Sequence, residues 1–361
     1  MEWMKSSTRI SFPAIGIDIN PHEGFTIGSF SIYFYGVILA VGLLLACIYG
    51  LRRKKQFGLT EDDVLDGALW IIPFAFICAR IYDCAFSWAD YKNNPISVLY
   101  FWEGGIAIYG GVIGTIIGIA LYCRFKKIPF GTALDITAVS FLLGQAIGRW
   151  GNFMNREAFG AYCDNFLAMR LPESVLTVDA DATPQFLAAV RTLQDKAVQG
   201  GYQGYYQVHP TFLYESLWNI AGFVLLHFMS KRRKYDGQVA LGYAAWYGLG
   251  RCFVEGLRMD SLYWGPFRVS QLLAALSCFA AVTALVILSF KEHDPAKLYV
   301  NQVAAREAID EDLVWVEEEE SEETEETEES EETEETAEAV ALPLQKCFRK
   351  DLAWSFTTKI F

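Results

Sequence analysis

The chain has 361 residues, 53% of them hydrophobic and 15% aromatic, with a mean hydropathy of +0.21. Several stretches run about 20 residues with almost no charge, which excludes an ordinary water-soluble domain. The formal charge of −13 is local: positions 310–338 hold 18 acidic residues and no Lys or Arg, and taking those 18 negative charges away leaves +5 for the rest.

Residues 1–30 contain Pro13, Pro21 and scattered polar residues, and no short apolar run with a small-residue cleavage site. They are expected to be an extracytoplasmic N-terminal segment, with insertion left to the first spanning helix. Seven apolar segments follow, at roughly 32–51, 64–86, 106–123, 131–148, 212–229, 238–256 and 269–290. Basic residues follow the first (Arg52 to Lys55), the third (Arg124, Lys126, Lys127), the fifth (Lys231 to Lys234) and the seventh (Lys291). With seven spans all four clusters fall on one face, so the positive-inside rule puts the N-terminus outside and the C-terminus in the cytoplasm.

The predicted fold class is therefore an all-α membrane protein. It is a seven-transmembrane-helix bundle over 31–293, with an extracytoplasmic loop subdomain at 149–211 and a disordered acidic C-terminal tail. The 149–211 insertion carries an acidic part (Asp179, Asp181), a helix-like run at 184–198 and the Gly/Tyr-rich GGYQGYYQ stretch. Residues 294–361 form a cytoplasmic extension. Within it, 317–336 repeats Glu-Glu-Thr and Glu-Glu-Ser with nothing apolar to bury, a composition that cannot offset the entropy of ordering. The eight cysteines form no CxxC pair, and Cys47, Cys78, Cys123, Cys252 and Cys278 lie within apolar runs as small buried hydrophobes. No metal, cofactor or nucleic-acid partner is expected.

Ionisable residues at membrane depth cost a few kcal/mol and so point to function. In the derived orientation Arg80, Asp83, Arg149, Glu215, Arg251 and Glu255 sit near the outer helix ends, with Tyr35, Tyr82, Tyr109, Tyr214, Tyr247 and His209 at the same level. Asp66, Asp135 and His227 fall nearer the inner ends and are read as caps or packing groups. Gly110, Gly114 and Gly118, spaced by four, make a ridge for close helix packing.

The run from Gly148 through Arg149, Gly151, Asn152, Phe153, Asn155 and Glu157 to Gly160 resembles the signature of prolipoprotein diacylglyceryl transferases. Further matches follow in order: Tyr35-Gly36, Ala79 to Tyr82, Glu103 to Gly111, His209 to Glu215, and Tyr247 through Arg251 to Glu255. The resemblance covers about 25–290 and leaves the acidic tail outside it. Two positions depart: many members carry His where this chain has Tyr109, and often Gln where it has Phe212.

The resemblance implies a multi-pass enzyme of the bacterial plasma membrane. It would move the diacylglyceryl group of phosphatidylglycerol onto the lipobox cysteine of prolipoprotein signal peptides, releasing glycerol 1-phosphate. By resemblance and placement, Arg149 and Arg251 hold the phosphate, Asn152, Tyr35 and Tyr247 bond the headgroup, and Glu157 and Glu255 orient the arginines. Arg80 and Gly160 join the substrate-binding set. Tyr109 donates a hydrogen bond but is a poor base, since free Tyr has a pKa near 10. His209 is open between a base and a brace for the loop before Pro210. Two other readings stay open on sequence alone. One is a transporter, although such sites usually lie at the midplane on repeated halves. The other is an inactive scaffold that binds lipid or lipoprotein.

Overall fold

A computed structural model describes residues 9–27, 30–100, 104–176, 183–259, 261, 263–264 and 267–311. Glu103, the acidic pair Asp179 and Asp181, the Glu-Glu-Thr repeat and the rest of the tail lie outside the described residues. The chain divides into two compact units, Met1–Asn301 and Gln302–Phe361. The first holds every element that follows.

Six helices among the described residues are long and apolar enough to cross a membrane. They are α1 (Phe34–Arg53), α2 (Glu61–Phe86), α4 (Ile108–Lys126), α5 (Phe130–Asn155), α7 (Thr211–Ser230) and α9 (Val269–Ser289). A helix, α8 (Gln238–Leu257), has the same length as α7 and packs against α5, α7 and α9. Four glycines with Arg251 and Glu255 lower its hydropathy. Two further helices are the single turn α3 (Trp88–Tyr91) and α6 (Pro184–Gly200). The outward faces of the long helices are apolar and bare, with Leu44, Phe76, Ile77, Phe253 and Phe279 all more than half exposed. Only a hydrocarbon solvent makes such a surface stable, and backbone bonding within helices suits that solvent.

Local rules set the helix ends. Thr60 and Asp63 form a capping box at the start of α2, whose first turn holds Glu61, Asp62 and Asp63. Glycines set the close approaches. A Cβ on Gly110 or Gly114 would lie 2.4 Å from Tyr82 Cβ or 2.5 Å from Cys78 Cβ, so the glycine ridge of α4 packs directly on α2. The polar residues at the opposite helix ends are bonded within the fold. Asp135 accepts from the Gly237 and Ala240 amides at 2.9 and 2.8 Å, Asp66 pairs with Lys126 at 2.7 Å, and His227 Nδ1 lies 2.8 Å from the Tyr49 hydroxyl.

The expectation of an all-helical chain needs correction. Among the described residues there are eight short strands: β1 (Ile10–Phe12), β2 (Ile17–Ile19), β3 (Gly24–Ile27), β4 (Phe30–Tyr33), β5 (Met169–Pro172), β6 (Tyr205–Val208), β7 (Tyr263–Trp264) and β8 (Phe267–Arg268). One antiparallel sheet runs in the order β2-β1-β5-β6, so the N-terminal segment and the long connection form one layer. Strands of two to four residues are too short for alternation to register, and β1 meets β5 across more than 150 residues of sequence. The sheet and α6 bury Ile10, Leu171, Leu193 and Val208 against Phe153 at the end of α5 and Phe212 at the start of α7. The connection also starts later than expected. α5 continues through Arg149 to Asn155, so Arg149 and Asn152 are helical residues.

Candidate active site

The end of α5 is bent into shape by backbone chemistry. Arg156 closes the helix with φ 55° and Ala158 follows with φ 56°, both in the left-handed region that costs a non-glycine residue roughly 1–3 kcal/mol. That cost is offset by tight bonding. The buried Arg156 guanidinium donates to the Pro21 carbonyl and pairs with Glu23 at 3.2 Å. The Thr211 hydroxyl donates to the Ala158 carbonyl. The turn brings Glu157 back beside the helix, where its carboxylate accepts from Asn152 Nδ2 at 2.8 Å.

Gly160 stitches this turn to two helices. Its amide donates to the His209 carbonyl at 3.0 Å, the Ala161 amide donates to the Leu257 carbonyl at 2.8 Å, and the His209 amide returns to Ala161 at 3.0 Å. A Cβ at Gly160 would stand 2.7 Å from His209 Cβ and 2.9 Å from the Leu257 carbonyl oxygen. No side chain fits there. His209 itself is braced at the same junction, with Nδ1 3.4 Å from the Tyr214 hydroxyl, and burial pushes its pKa down. Near pH 7 it is a neutral hydrogen-bonding group.

With α5, α7 and α8 so joined, their charged residues meet. Glu215, on the first turns of α7 and 5% exposed, is the centre. One carboxylate oxygen lies 2.7 Å from Arg149 Nη2, and the other lies 3.5 Å from Arg251 Nη1 and 3.9 Å from Arg258 Nη1. Arg251 Nη2 pairs with Glu255 at 2.6 Å, one helical turn along α8. Arg149 Nη1 donates to Asn152 Oδ1 at 3.4 Å, which continues the chain of bonds to Glu157. Arg268 donates to the Glu255 carbonyl. The neighbours of the central pair are bonded too, since Trp150 Nε1 donates to Ser216 Oγ at 3.2 Å. Tyr35, on the first turn of α1, lays its ring over Gly151, where a Cβ would be 2.8 Å from Cδ2. Tyr247 stacks on Tyr243 at 5.6 Å.

Arg149 and Arg251 keep 18% and 21% of their side chains exposed while each pairs with Glu215. Arginine forks bind paired oxygens of phosphate or carboxylate. The profile of the prolipoprotein diacylglyceryl transferase family matches residues 23–287. The chain belongs to that family. It is similar to several phosphatidylglycerol–prolipoprotein diacylglyceryl transferases. That of Limosilactobacillus reuteri (strain DSM 20016) is 39% identical over 280 residues, covering 76% of this chain and 93% of the relative. Those of Listeria monocytogenes serotype 4b and Enterococcus faecalis are each 40% identical, covering 74% and 77% of this chain and 90% and 93% of the relatives.

Of the residues singled out by resemblance to the diacylglyceryl transferases, the structure joins Arg149, Arg251, Asn152, Glu157 and Glu255 in one bonded network. Gly160 and His209 sit at the junction that carries it. Two others are placed apart. Tyr109, at the start of α4, is 44% exposed and its hydroxyl lies 3.2 Å from Ser270 Oγ on the first turn of α9. Arg80 turns away into the segment after α3. Its donors go to the carbonyls of Val98 (2.9 Å), Ser97 (2.6 Å), Gly104 (2.6 Å) and Gly105 (2.7 Å) and to the Tyr91 hydroxyl (3.1 Å). Tyr91 in turn donates to Asp83 at 2.5 Å, a bond that pushes its pKa up to about 12.

This placement has a direct consequence. Arg80→Lys keeps the charge but supplies three donors from one point and cannot reach this ring of carbonyls. The segment from Lys92 to Gly105 should loosen, and trypsin should cut after the exposed Lys92 faster than in the parent, as read by gel and mass spectrometry. An unchanged cleavage rate would rule out Arg80 as the anchor. Arg258 and Arg268 at the cluster were not singled out by sequence, and Glu215 was placed among the charged helix-end residues without a role. Glu215 had a visible signal, a carboxylate inside an apolar helix and within the His209–Glu215 motif.

Proposed function

We propose that this chain transfers the diacylglyceryl group of phosphatidylglycerol to the thiol of a lipobox cysteine, releasing glycerol 1-phosphate. The observation that carries the reading is the meeting of Arg149 of α5 and Arg251 of α8 on one buried carboxylate, with about a fifth of each arginine exposed. The names of the relatives state the same lipid and the same class of protein substrate. Membership of this family leaves the transporter and inactive-scaffold alternatives without support.

In the proposed step the cysteine thiolate attacks the glycerol carbon that bears the phosphate. A C–S bond forms, the C–O bond breaks, and the electron pair leaves with the phosphate oxygen. The thiol proton departs to water before attack, or passes to the phosphate monoester as the C–O bond breaks. A free thiol has a pKa of roughly 8.5, so a nearby positive field helps to deprotonate it. Arg149 and Arg251 hold the phosphate and stabilise the charge that grows on it. Glu215 and Glu255 hold the two forks in place, while Asn152 and Glu157 extend the bonding to the headgroup side. Tyr35 and Tyr247 line the approach of the headgroup. We assign Arg80 to the segment after α3 in place of headgroup contact, and His209 to bracing.

The reading includes seven spans with α8 as the sixth, an outer N-terminus and a cytoplasmic C-terminus in a bacterial plasma membrane. The sheet and α6 would then cover the outer mouth. The convergence of Lys54, Lys126 and Arg233 on groups near Gln56, Glu61 and Asp66 supports a single basic, inner end.

Purified protein in phosphatidylglycerol vesicles, given a lipobox peptide, should produce a thioether-linked diacylglyceryl peptide detectable by mass. Unmodified peptide under these conditions, with a known transferase active in parallel, would refute the assignment. For Tyr109, the Tyr109→Phe variant is informative. We expect a loss of a few-fold, because one neutral hydrogen bond contributes about 0.5–1.5 kcal/mol. Full activity would exclude any role for the hydroxyl, and complete loss would make it the proton-transfer group.

A further inference from the structure

Trp218 of α7 and Trp246 of α8 form a reciprocal pair beneath the arginine–carboxylate cluster. Trp218 Nε1 donates to the Trp246 carbonyl at 3.0 Å, and Trp246 Nε1 donates to the Trp218 carbonyl at 2.9 Å. The two rings stack at 4.4 Å with 17° between their planes. Each indole thus bonds the backbone of the opposite helix at the residue that bears the other indole. This needs room, and the room is made the same way twice. Gly222 is four residues after Trp218, and Gly250 is four after Trp246. A Cβ on Gly222 would lie 2.3 Å from Trp246 Nε1, and one on Gly250 would lie 2.2 Å from Trp218 Nε1.

Such a pair fixes both the axial register and the rotation of α7 against α8, since sliding or turning either helix breaks two bonds and the stack together. Its location ties it to the chemistry. Trp218 lies one turn below Glu215, about 4.5 Å of helix rise, and Trp246 lies about 7.5 Å below Arg251. Gly250, against which the Trp218 ring rests, immediately precedes Arg251. Where Arg251 meets Glu215 is therefore set by where the two indoles meet. We propose that Trp218 and Trp246 are positioning residues that hold α7 and α8 in the register at which Glu215 engages Arg251. The activity readout of this proposal rests on the transfer reaction proposed above.

The test uses the full chain with Trp218→Phe or Trp246→Phe in phosphatidylglycerol vesicles. Phenylalanine keeps a stacking ring and loses the N–H donor. A shift of about 1 Å at a reacting group costs up to roughly a hundredfold, so kcat should fall on the order of 10- to 100-fold while the KM for peptide stays within about twofold. The far-UV circular dichroism couplet of the paired indoles should be lost, and it is read from the parent-minus-variant difference spectrum. Because the pair acts through Glu215, Trp246→Phe should cost less than about twofold in a Glu215→Gln background, the non-additivity expected of coupled residues. Wild-type turnover in the Phe variants, or costs that multiply in full with Glu215→Gln, would overturn the proposal. Where a tryptophan variant does not accumulate, Gly250→Ala tests the same register with both indoles present. A similar kcat loss supports the proposal and unchanged turnover rejects it. Should the parent protein modify no peptide at all, the transfer reading falls by itself. The couplet then remains the readout, and its absence from the parent protein would reject the pair.

Discussion

Arg149→Ala and Arg251→Ala should each abolish diacylglyceryl transfer while the protein still accumulates in the membrane. Removing one preorganised donor from a charge-stabilising site costs on the order of 10²–10³ in turnover, and each of these arginines presents several donors. Neither change strands the central carboxylate, but Arg251→Ala also removes the ion-pair partner of buried Glu255, so that variant should accumulate less than Arg149→Ala. Without Arg149, Glu215 keeps Arg251 and Arg258; without Arg251, it keeps Arg149. About a fifth of each side chain is exposed, so water can reach the space that truncation leaves. The Lys variants separate charge from shape. A lysine retains the positive field but not the paired donors, so Arg149→Lys and Arg251→Lys should keep a detectable fraction of activity with a raised KM for phosphatidylglycerol. The measurement is lipidated peptide per membrane-inserted enzyme. Near-normal turnover in either Ala variant would sink the phosphate-clamp model, whatever the Lys variants do.

Much of the architecture was legible because the bilayer imposes simple rules. A helix such as α1 or α9 shows itself by a run of apolar residues, and the basic ends agree with one another. α8 shows the limit of that reading. It spans 20 residues like α7, but the glycines that let Trp218 and Cys278 approach it also lower its hydropathy. The ladder between β1 and β5 was not legible at all. Ser11 of β1 pairs with Arg170, past Arg156, and nothing in Ile10-Ser11-Phe12 specifies that partner.

Within the site, sequence gave depth but not direction. Arg80 and Arg149 both sit in the last turns of long helices, yet one saturates its donors on the carbonyls of a nearby segment and the other meets a carboxylate. Which of these happens depends on where the backbone after α3 turns, and no spacing rule carries that. The resemblance named Arg149 and Arg251 without showing what joins them. The joint is Glu215, on a third helix.

Glu215 is therefore the residue whose loss should cost most in stability. Its carboxylate faces three guanidinium groups, and only 6% of its side chain is exposed. Glu215→Ala leaves Arg149, Arg251 and Arg258 facing one another across a small, poorly hydrated space. Removing one partner of a buried ion pair costs about 3–5 kcal/mol, and like charges at this range add to it. The variant should accumulate poorly and lose its fold at lower temperature, as read by retention of soluble protein after heating in detergent. Glu215→Gln is the sharper probe. It keeps the shape and one acceptor oxygen, but turns an N–H2 group towards an arginine that needs an acceptor. This variant should accumulate, with kcat lowered at least about tenfold, since one misaligned donor at the phosphate has that effect. KM for phosphatidylglycerol should change less, because both arginines remain to bind the lipid. The opposite pattern, a lowered KM with kcat unchanged, would mean that Glu215 competes with phosphate for the arginines instead of holding them for it.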